Sequence, residues 1–486
     1  MKSKTSVIGN YFYNLSYQML SILLPLITTP YISRVLQANA VGAYSYSLSM
    51  TTYFSLFGIM GLNMYGQLKI AGSRTNKEDY SCLFWEIFVS KAITSMLSLL
   101  LFSFFIEHQY ANKAIFIALS ILLIANIFDI SWFFQGMEMF KKIAMRNYII
   151  KLLSLILIII YIKEEKDVIL YAIIIQGSTL LGNLSLWLSL GKYVHKHTND
   201  RLKIGRHLTA SLVYFLPTVA SSIYTVLDKS MLGWIVESDY ENGVYEQAHK
   251  IQQTAVMIIT ALSQVMLPRM TYLFREGKME EYSRFLKQGL CFVGILSMPM
   301  VAGLFIVSDT FIPIFLGKGF DKCIPLLRIF SILVFFSGIN TLIGNQCLVA
   351  RGKQELYNRG VILGAVSNII LNIIFIPLLA SIGAAIASVI AEVIIFACFL
   401  MSSRDCNIIL QLSELWLKPA IASVLMIIII WPIGFFINSD IIRLTLQILI
   451  GIVVYFVFLL IMKENTIINI LYSFLKRINL SRNNKI

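Results

Sequence analysis

The chain has 486 residues, of which 57% are hydrophobic and 14% are charged, and its mean hydropathy is +0.76. A water-soluble protein of this size carries about 25% charged residues, so the composition excludes an ordinary soluble enzyme and predicts a multi-pass membrane protein. The formal net charge of +14 would suit a nucleic-acid partner, but the placement of the positive residues argues against that partner.

Fourteen apolar segments follow one another along the chain. Each is long enough to cross about 30 Å of hydrocarbon, and each is continuously apolar, which favours helices over a membrane β-barrel. The first segment is too long for a signal peptide and lacks a typical cleavage site, so we expect it to be retained. The predicted spans are 10–33, 41–66, 80–106, 113–136, 145–162, 168–190, 208–236, 242–266, 284–307, 324–348, 357–377, 383–402, 414–436 and 441–462.

Lysine and arginine are divided unevenly between the two sides of these spans. With a cytoplasmic N-terminus, seven fall in outer loops, five within spans and 28 on the cytoplasmic side. This asymmetry predicts that both termini are cytoplasmic. Topology and contact with anionic lipid therefore explain the basic balance better than nucleic acid does.

The loop at 191–207 is rich in positive charge and predicts a linker between two six-helix lobes. The expected domains are residues 1–205, with six spans and the linker, and residues 206–402, with the next six. Residues 403–486 would hold the last two spans and a cytoplasmic tail. Apolar residues share one helical face of that tail between Thr466 and Ile478, which predicts an amphipathic helix on the inner leaflet; a solvated tail is the alternative.

Two short motifs recur in the two predicted lobes. VGAYSY opens the second span and NGVYEQ opens the eighth, so Gly42 and Tyr44 match Gly243 and Tyr245 at one offset. QGMEMFKK follows the fourth span where ARGKQELY follows the tenth. An even number of helices per half makes such repeats parallel, and transporters built from repeats bind ligands at the repeat interface.

Ten ionisable residues fall within the predicted spans. Each would cost a few kcal/mol against lipid, so we expect them to face the interior, with the two nearest the span ends snorkelling to the surface. Asp129 and Lys151 have similar depths on neighbouring spans and are predicted to form a structural ion pair. The other eight are Lys91, Asp228, Lys229, Glu246, Lys250, Glu392 and the snorkelling pair Glu86 and Arg328.

Four of these charges lie on the seventh and eighth spans. Asp228 and Lys250 both lie about 12 Å below the outer surface, and Glu246 precedes Lys250 by about one helical turn. Lys229 points about 100° away from Asp228, so one carboxylate cannot readily serve both lysines. An anionic ligand would then supply the counter-charge of Lys229. The alternative is that these charges only neutralise one another and brace the helices.

The sequence carries no catalytic or nucleotide-binding motif that we recognise, so we expect no catalytic residue and no enzyme activity. The six cysteines are scattered without C-x-x-C spacing, which favours neither a metal site nor a disulfide framework. No cofactor is expected, and uphill transport would need an H⁺ or Na⁺ gradient or a partner.

Six segments, taken in order, resemble the Wzx-type bacterial polysaccharide flippases of the multidrug/oligosaccharidyl-lipid/polysaccharide exporter superfamily. They run from about Pro25 to Glu392 and are PLITTPYISRVLQANAVGAYSYSLS, FGIMGLNMYGQLKIAGSR, FDISWFFQGMEMFKKIAMRN, YTVLDKSMLG, ALSQVMLPRM and SNIILNIIFIPLLASIGAAIASVIAE. The resemblance implies an all-α protein of about fourteen transmembrane helices in a bacterial cytoplasmic membrane. Two six-helix lobes would form a V around a central cavity, followed by two C-terminal helices. One departure is Gln37, where such flippases usually have glycine.

The resemblance also implies a substrate, an undecaprenyl-pyrophosphate-linked oligosaccharide that is moved from the inner to the outer leaflet. Four cations would bind its anionic head, and three carboxylates would balance them or bind a coupling ion. Expected partners are this lipid and membrane lipids, with a polysaccharide polymerase and chain-length proteins as further candidates; we expect a monomer and no nucleic acid. The cations are Arg34, Lys91, Lys229 and Lys250, and the carboxylates are Asp228, Glu246 and Glu392.

Three other functions fit parts of the pattern. A drug or cation antiporter of the same superfamily needs acidic residues for its ligand, whereas here lysines match the acids one for one. A lipid II flippase has similar chemistry and fold, but LDKSMLG and WFFQGMEMF favour the polysaccharide type. A membrane-embedded polymerase or ligase usually has a larger outer loop than the one from Ser308 to Cys323.

Overall fold

The apolar segments form helices throughout the part of the chain that the structure describes. The structure is a computed structural model, and it describes residues 7–109, 111–195, 203–406, 408–464 and 468. The helices are α1 (Val7–Ile59), α2 (Leu62–Gly72), α3 (Lys77–Glu107), α4 (Lys113–Phe128), α5 (Ser131–Gly136), α6 (Phe140–Tyr161), α7 (Val168–Leu190), α8 (Ile204–Ile235), α9 (Asp239–Arg275), α10 (Met279–Phe315), α11 (Cys323–Ile343), α12 (Gln354–Leu379), α13 (Ser381–Ser402), α14 (Ile408–Ile430), α15 (Ile433–Phe436) and α16 (Asp440–Ile461).

Each predicted span corresponds to helix in this list, and the all-α membrane fold is confirmed. Among the described residues, eleven helical segments are long and apolar enough to cross a membrane. The figure of fourteen spans remains a prediction, and the predicted amphipathic helix of the tail lies almost entirely outside the described residues.

The first two predicted spans are two helices that follow each other directly across a kink at Gln37, and α1 contains both. Within α1 only Gln37 leaves the helical conformation, with φ 59° and ψ 176°. Such backbone angles are close to a region that is almost restricted to glycine. The position at which the sequence departs from the glycine of the resembling flippases is therefore the bend itself, and Gln37 adopts a conformation that its Cβ disfavours.

The helices cluster into two compact units, residues 1–246 and 247–486, whose boundary lies inside α9. The division at residue 205 that the sequence suggests remains a prediction. In the first unit an aromatic cluster joins α2, α3 and α5, with the rings of Phe84 and Trp132 stacked at a centroid distance of 5.5 Å. In the second unit the last helices pack on α10, where the Trp416 indole donates to Leu290 O at 2.9 Å and Tyr455 donates to Ile295 O at 2.8 Å.

The second sequence repeat folds into the same turn in both units. Glu138 and Gly352 both have positive φ, 58° and 74°. The residue after each, Met139 or Lys353, donates its N–H five residues back at 2.8 Å and precedes the first residue of a helix. The weak similarity of QGMEMFKK and ARGKQELY therefore corresponds to a shared local structure, which supports an internal duplication.

Candidate functional site

The first sequence repeat brings two glycines together. A Cβ atom on Gly42 would lie 1.7 Å from the carbonyl oxygen of Asp239, and one on Gly243 would lie 1.9 Å from the carbonyl oxygen of Ala38. Since real Cβ atoms do not approach backbone this closely, only glycine permits this distance between α1 and the first two turns of α9. We call the three segments that meet here the repeat crossing: residues 38–49 of α1, 228–233 of α8 and 239–246 of α9.

The contacts of the repeat crossing are reciprocal. Gly42 meets Asp239, and Gly243, which matches Gly42, meets Ala38, which matches Asp239. Ser45 even contacts its own equivalent, because its hydroxyl donates to Glu246 Oε2 at 3.1 Å. Reciprocal contacts of this kind define a local two-fold axis. Repeat axes are where transporters of duplicated architecture bind their ligands, so this geometry selects the crossing as the candidate site.

Two of the predicted charges pair at the repeat crossing. The Lys229 ammonium of α8 donates to Glu246 Oε2 at 3.0 Å, and the two side chains are 15% and 13% exposed. Glu246 therefore receives hydrogen bonds from both α1 and α8. Glu246, which precedes Lys250 by one helical turn, thus lies at hydrogen-bond distance from Lys229, as a carboxylate that balances an interior lysine would.

The neighbouring Asp228 is bound by a different group. Tyr245, the tyrosine of the repeat motif, donates its hydroxyl to Asp228 Oδ2 at 2.5 Å, and both residues are buried. Asp228 and Lys229 thus point to different residues of α9, as their 100° separation on a helix predicts. Tyr245 binds Asp228 and Glu246 binds Lys229, so two consecutive residues of the repeat motif on α9 hold the two charged side chains in defined directions.

Uncharged contacts fasten α8 to the other two helices. The hydroxyls of Ser49 and Ser230 lie 3.0 Å apart in a buried contact. The buried Asn242 amide lies between Lys229 O, at 2.9 Å, and Gly233 N, at 3.2 Å. Gly233 also receives the ring of Tyr46, since a Cβ there would lie 2.2 Å from a ring carbon. The pair of Lys229 and Glu246 therefore sits in a framework that small residues make possible.

Asp129 has a cation from α3 beside it, and its predicted ion pair with Lys151 remains a prediction. The structure places Lys91 of α3 on Asp129: its ammonium donates to Asp129 O at 2.7 Å and lies 3.7 Å from the carboxylate. The carboxylate also accepts from Ser131 N at 2.9 Å, which caps the break between α4 and α5. Asp129 lies at the break between α4 and α5, within reach of α3.

Lys91, which was predicted to bind substrate, is the cation beside Asp129, and its substrate-binding role remains a prediction. Its side chain is fully buried, and its hydrogen bond to a backbone oxygen holds the end of α4. A cation in this position braces the fold. Lys151 lies on α6, half-buried, where its carbonyl accepts from Ser154.

The other predicted site residues lie outside the pair at the crossing. Arg34 is exposed three residues before the bend of α1, where Gln37 donates to its carbonyl at 2.6 Å. Lys250 is half-buried on α9, one turn beyond Glu246 and in the second unit. Glu392 is buried within the second unit, where Ser337 and Asn340 donate to its two oxygens at 2.9 and 2.5 Å. Their predicted roles remain predictions.

One buried cluster was missed. His207, which is 1% exposed, lies between Glu86 and Tyr65. Its Nε2 is 2.8 Å from Glu86 Oε2, and its Nδ1 is 2.8 Å from the Tyr65 hydroxyl. Glu86 also accepts from Lys203 N at 2.9 Å, so the cluster ties the start of α8 to α2 and α3. Glu86 was predicted to snorkel, and its depth alone could not reveal partners more than a hundred residues away.

Among the described residues, no group of three or more His, Cys, Asp or Glu side chains is arranged to hold a metal ion. The chemistry on the axis is that of an ion pair with hydroxyl neighbours. A helical membrane protein with an internal duplication and charges on the repeat axis has the architecture of a transporter.

Two family models match long parts of the sequence. A model described as polysaccharide biosynthesis protein matches residues 7–274, more than half of the sequence. The chain belongs to this polysaccharide biosynthesis protein family. A second model, lipid II flippase MurJ, matches residues 204–439.

Individual relatives are distant but cover most of the chain. A candidate O-antigen transporter of Escherichia coli strain K12 is 22% identical over 83% of this chain and 98% of its own length. Capsular polysaccharide biosynthesis protein CapF of Staphylococcus aureus is 21% identical over 78% of this chain and 94% of the relative. These names describe the relatives themselves.

Solved structures confirm the fold. The lipid II flippase MurJ in its inward closed conformation superposes with a TM-score of 0.76 at 19% identity, covering 94% of this chain and all of that one. An inward-facing multidrug resistance transporter of the MATE family gives a TM-score of 0.62 at 15% identity over 82% of this chain and 98% of that one. At such identities the likeness concerns the fold alone.

Proposed function

We propose that the protein is a flippase that moves lipid-linked oligosaccharide repeat units from the inner to the outer leaflet for assembly of a surface polysaccharide. The family and the names of the distant relatives support the polysaccharide substrate. The fold supports transport. The protein then acts as a transporter rather than an enzyme, with the lipid-linked oligosaccharide as its principal partner.

The observation that carries the proposal is the partly exposed ion pair of Lys229 and Glu246 on the repeat axis. A pyrophosphate linked to a lipid carries about two negative charges, and moving it through a low-dielectric medium without counter-charges is costly. An ammonium that exchanges a carboxylate for a phosphate keeps its own charge paired throughout. Glu246 keeps the hydroxyl of Ser45 when Lys229 turns to the ligand.

The proposed orientation follows from the distribution of lysine and arginine, with both termini in the cytoplasm. The repeat crossing then lies on the outer side of the membrane. A reporter fused after Asn199 should give a cytoplasmic signal, and one fused after Ser238 an external signal. The opposite result at both positions would reverse the orientation.

Complementation tests the function directly. The gene is expressed in a strain that lacks its own repeat-unit flippase but retains the remaining polysaccharide pathway, together with a glycan that the protein accepts. Surface glycan should return, and the lipid-linked intermediate that accumulates inside should fall. Expression of stable protein without either change, across several glycan pathways, would contradict the proposal.

The lipid II flippase is the second candidate, because its family model matches residues 204–439 and its structure gives the TM-score of 0.76. The two candidates differ in the glycan attached to the same kind of lipid pyrophosphate. Rescue of growth on depletion of the host lipid II flippase, without restoration of surface glycan in the first strain, would favour this candidate over the proposed function.

A further inference from the structure

A polar cavity lies in the first unit, with no wall residue in the repeat crossing. Its volume is about 430 Å³, and α2, α5 and α6 line it. Its position is set by the turn that connects α5 to α6, since both helices that flank the turn contribute to the wall. The polar side chains of its wall are Gln67, Ser131, Gln135, Arg146 and Asn147.

Two asparagines hold the guanidinium of Arg146. It donates to Asn147 Oδ1 at 2.7 and 3.0 Å and to Asn183 Oδ1 at 3.2 Å. The carboxylate of Asp129 lies close enough to interact with this charge, but it is already paired with Lys91.

Two amides of the wall have their hydrogen-bonding groups available. Within the part of the chain that the structure describes, the side chains of Gln67 and Gln135 have no hydrogen-bond partner in the protein. An amide NH₂ group donates two hydrogen bonds, and both groups border the cavity that Arg146 also borders. A fixed cation with amide donors on the same cavity wall is the chemistry that recognises phosphate.

The outer faces of the same helices are apolar. Met64 and Leu68 on α2 and Met145 and Ile149 on α6 are exposed, as expected for side chains that contact lipid acyl chains. Under the proposed orientation the cavity is on the cytoplasmic side, where basic pockets between transmembrane helices bind anionic lipid headgroups. A charged headgroup therefore has a polar cavity beside an apolar surface for its chains.

We propose that this cavity binds the phosphate of an anionic phospholipid of the cytoplasmic leaflet, with Arg146 as the cation and Gln67 and Gln135 as hydrogen-bond donors. The site is separate from the repeat crossing and depends on the proposed orientation, not on the identity of the transported glycan. Bound lipid fastens α2 to α6 at the helix break beside Asp129.

The test measures lipid binding to the purified full-length protein in detergent by native mass spectrometry, with phosphatidylglycerol and zwitterionic phosphatidylcholine as probes. Wild-type protein should retain one phosphatidylglycerol under conditions that remove phosphatidylcholine. Arg146→Gln should weaken phosphatidylglycerol binding about tenfold, because a charge-assisted hydrogen bond is lost. Lys141→Gln, which removes a neighbouring exposed charge outside the cavity wall, should change binding less than about twofold.

A second variant keeps the test decisive if Arg146→Gln fails to accumulate. The double change Gln67→Leu and Gln135→Leu leaves every hydrogen bond of Arg146 in place and should weaken binding about threefold or more. Unchanged binding in this variant, or an equal loss in Lys141→Gln, would overturn the proposal.

Competition identifies the source of the phosphate. Inorganic phosphate at millimolar concentration should not displace phosphatidylglycerol if the apolar faces contribute to binding. Displacement by inorganic phosphate, or by undecaprenyl pyrophosphate at a concentration below that of phosphatidylglycerol itself, would overturn the assignment to a resident phospholipid.

Discussion

Two lysine–carboxylate pairs of the first unit consist of the same chemical groups and differ in what surrounds them. Lys91 is fully buried and donates to the backbone oxygen of Asp129 at a helix break. The carboxylate of Asp129 accepts from the backbone N–H of Ser131. Lys229 is 15% exposed, and Glu246 is held by side chains of two other helices on the repeat axis. The first pair fixes a main-chain break, whereas the second can separate without unfolding a helix end. Burial of the cation thus distinguishes a bracing pair from one that can exchange partners.

Breaking the buried pair should have the largest effect. Lys91→Met leaves the carboxylate of Asp129, which is 17% exposed, without its ammonium, and removing one partner of a buried ion pair costs up to about 3–5 kcal/mol. Since that is a large part of the stability of a protein, membrane abundance of Lys91→Met should fall severalfold or more. The double variant Lys91→Met with Asp129→Asn should recover abundance, as measured by quantitative immunoblot of isolated membranes. Equal abundance of the single variant and wild type would show that the pair does not brace the fold.

Enlarging the glycines should disable the repeat crossing without touching the buried pair. Gly42→Ala and Gly243→Ala each place a Cβ on a backbone oxygen, at 1.7 and 1.9 Å, so α1 and α9 must separate. Overpacking of this kind costs about 1–3 kcal/mol, which corresponds to roughly tenfold or more in the population of the packed state. Export of surface glycan in the complemented strain should fall accordingly while the protein still accumulates.

The matched control is Gly177→Ala on α7, where a Cβ would have nothing within 4 Å. Alanine favours a helix over glycine by about 0.5–1 kcal/mol, so this variant should export normally. Normal export by Gly42→Ala and Gly243→Ala as well would mean that the close packing at the crossing is dispensable.

Lys229 separates substrate binding from bracing. Lys229→Gln keeps a hydrogen-bond donor but loses the charge, and charge-assisted bonds contribute about 1.5–3 kcal/mol, so export should fall about tenfold while abundance stays near normal. Lys229→Arg should retain part of the activity. Lys166→Gln, an exposed lysine paired with Glu164, is the control and should export normally.

The double variant Lys229→Gln with Glu246→Gln sharpens the comparison. If Lys229 binds substrate, removing Glu246 as well does not restore export, in contrast to the recovery expected for the buried pair. Full recovery of export in the double variant would assign Lys229 and Glu246 to bracing alone.

The sequence predicted the helices and one helix contact better than it predicted the partners of the charged residues. Hydropathy located the helices, and the matched glycines of VGAYSY and NGVYEQ pointed to a contact that the structure places on a local two-fold axis. The partners of the charged residues were harder to predict, because the depth of a residue in the membrane does not show which neighbouring helix its side chain faces. The carboxylate of Asp129, at a helix break, lies near the ammonium of Lys91, and the carboxylate of Glu86 contacts the imidazole of His207. Long-range pairing needs the packed helices, and no local pattern contains it.

The bend at Gln37 gives the smallest and most local prediction. It changes the start of the α1 arm that reaches the repeat crossing and leaves both ion pairs intact. Gln37 occupies φ 59° and ψ 176°, a conformation that costs a residue with a Cβ about 1–3 kcal/mol. Glycine avoids this cost but loses about 0.5–1 kcal/mol in backbone entropy and the exposed hydrogen bond to Arg34 O.

Gln37→Gly should therefore be neutral or more stable than wild type by up to about 2 kcal/mol. Gln37→Ala keeps the strained Cβ and loses the same hydrogen bond, so it should be the least stable of the three. The midpoints of thermal unfolding of the purified proteins, followed by light scattering in one detergent, should fall in the order Gly, Gln, Ala. An alanine variant as stable as the glycine variant would show that the bend carries no strain. The glycine usual in the resembling flippases would then need another explanation, such as close approach of a neighbouring chain segment or of the ligand.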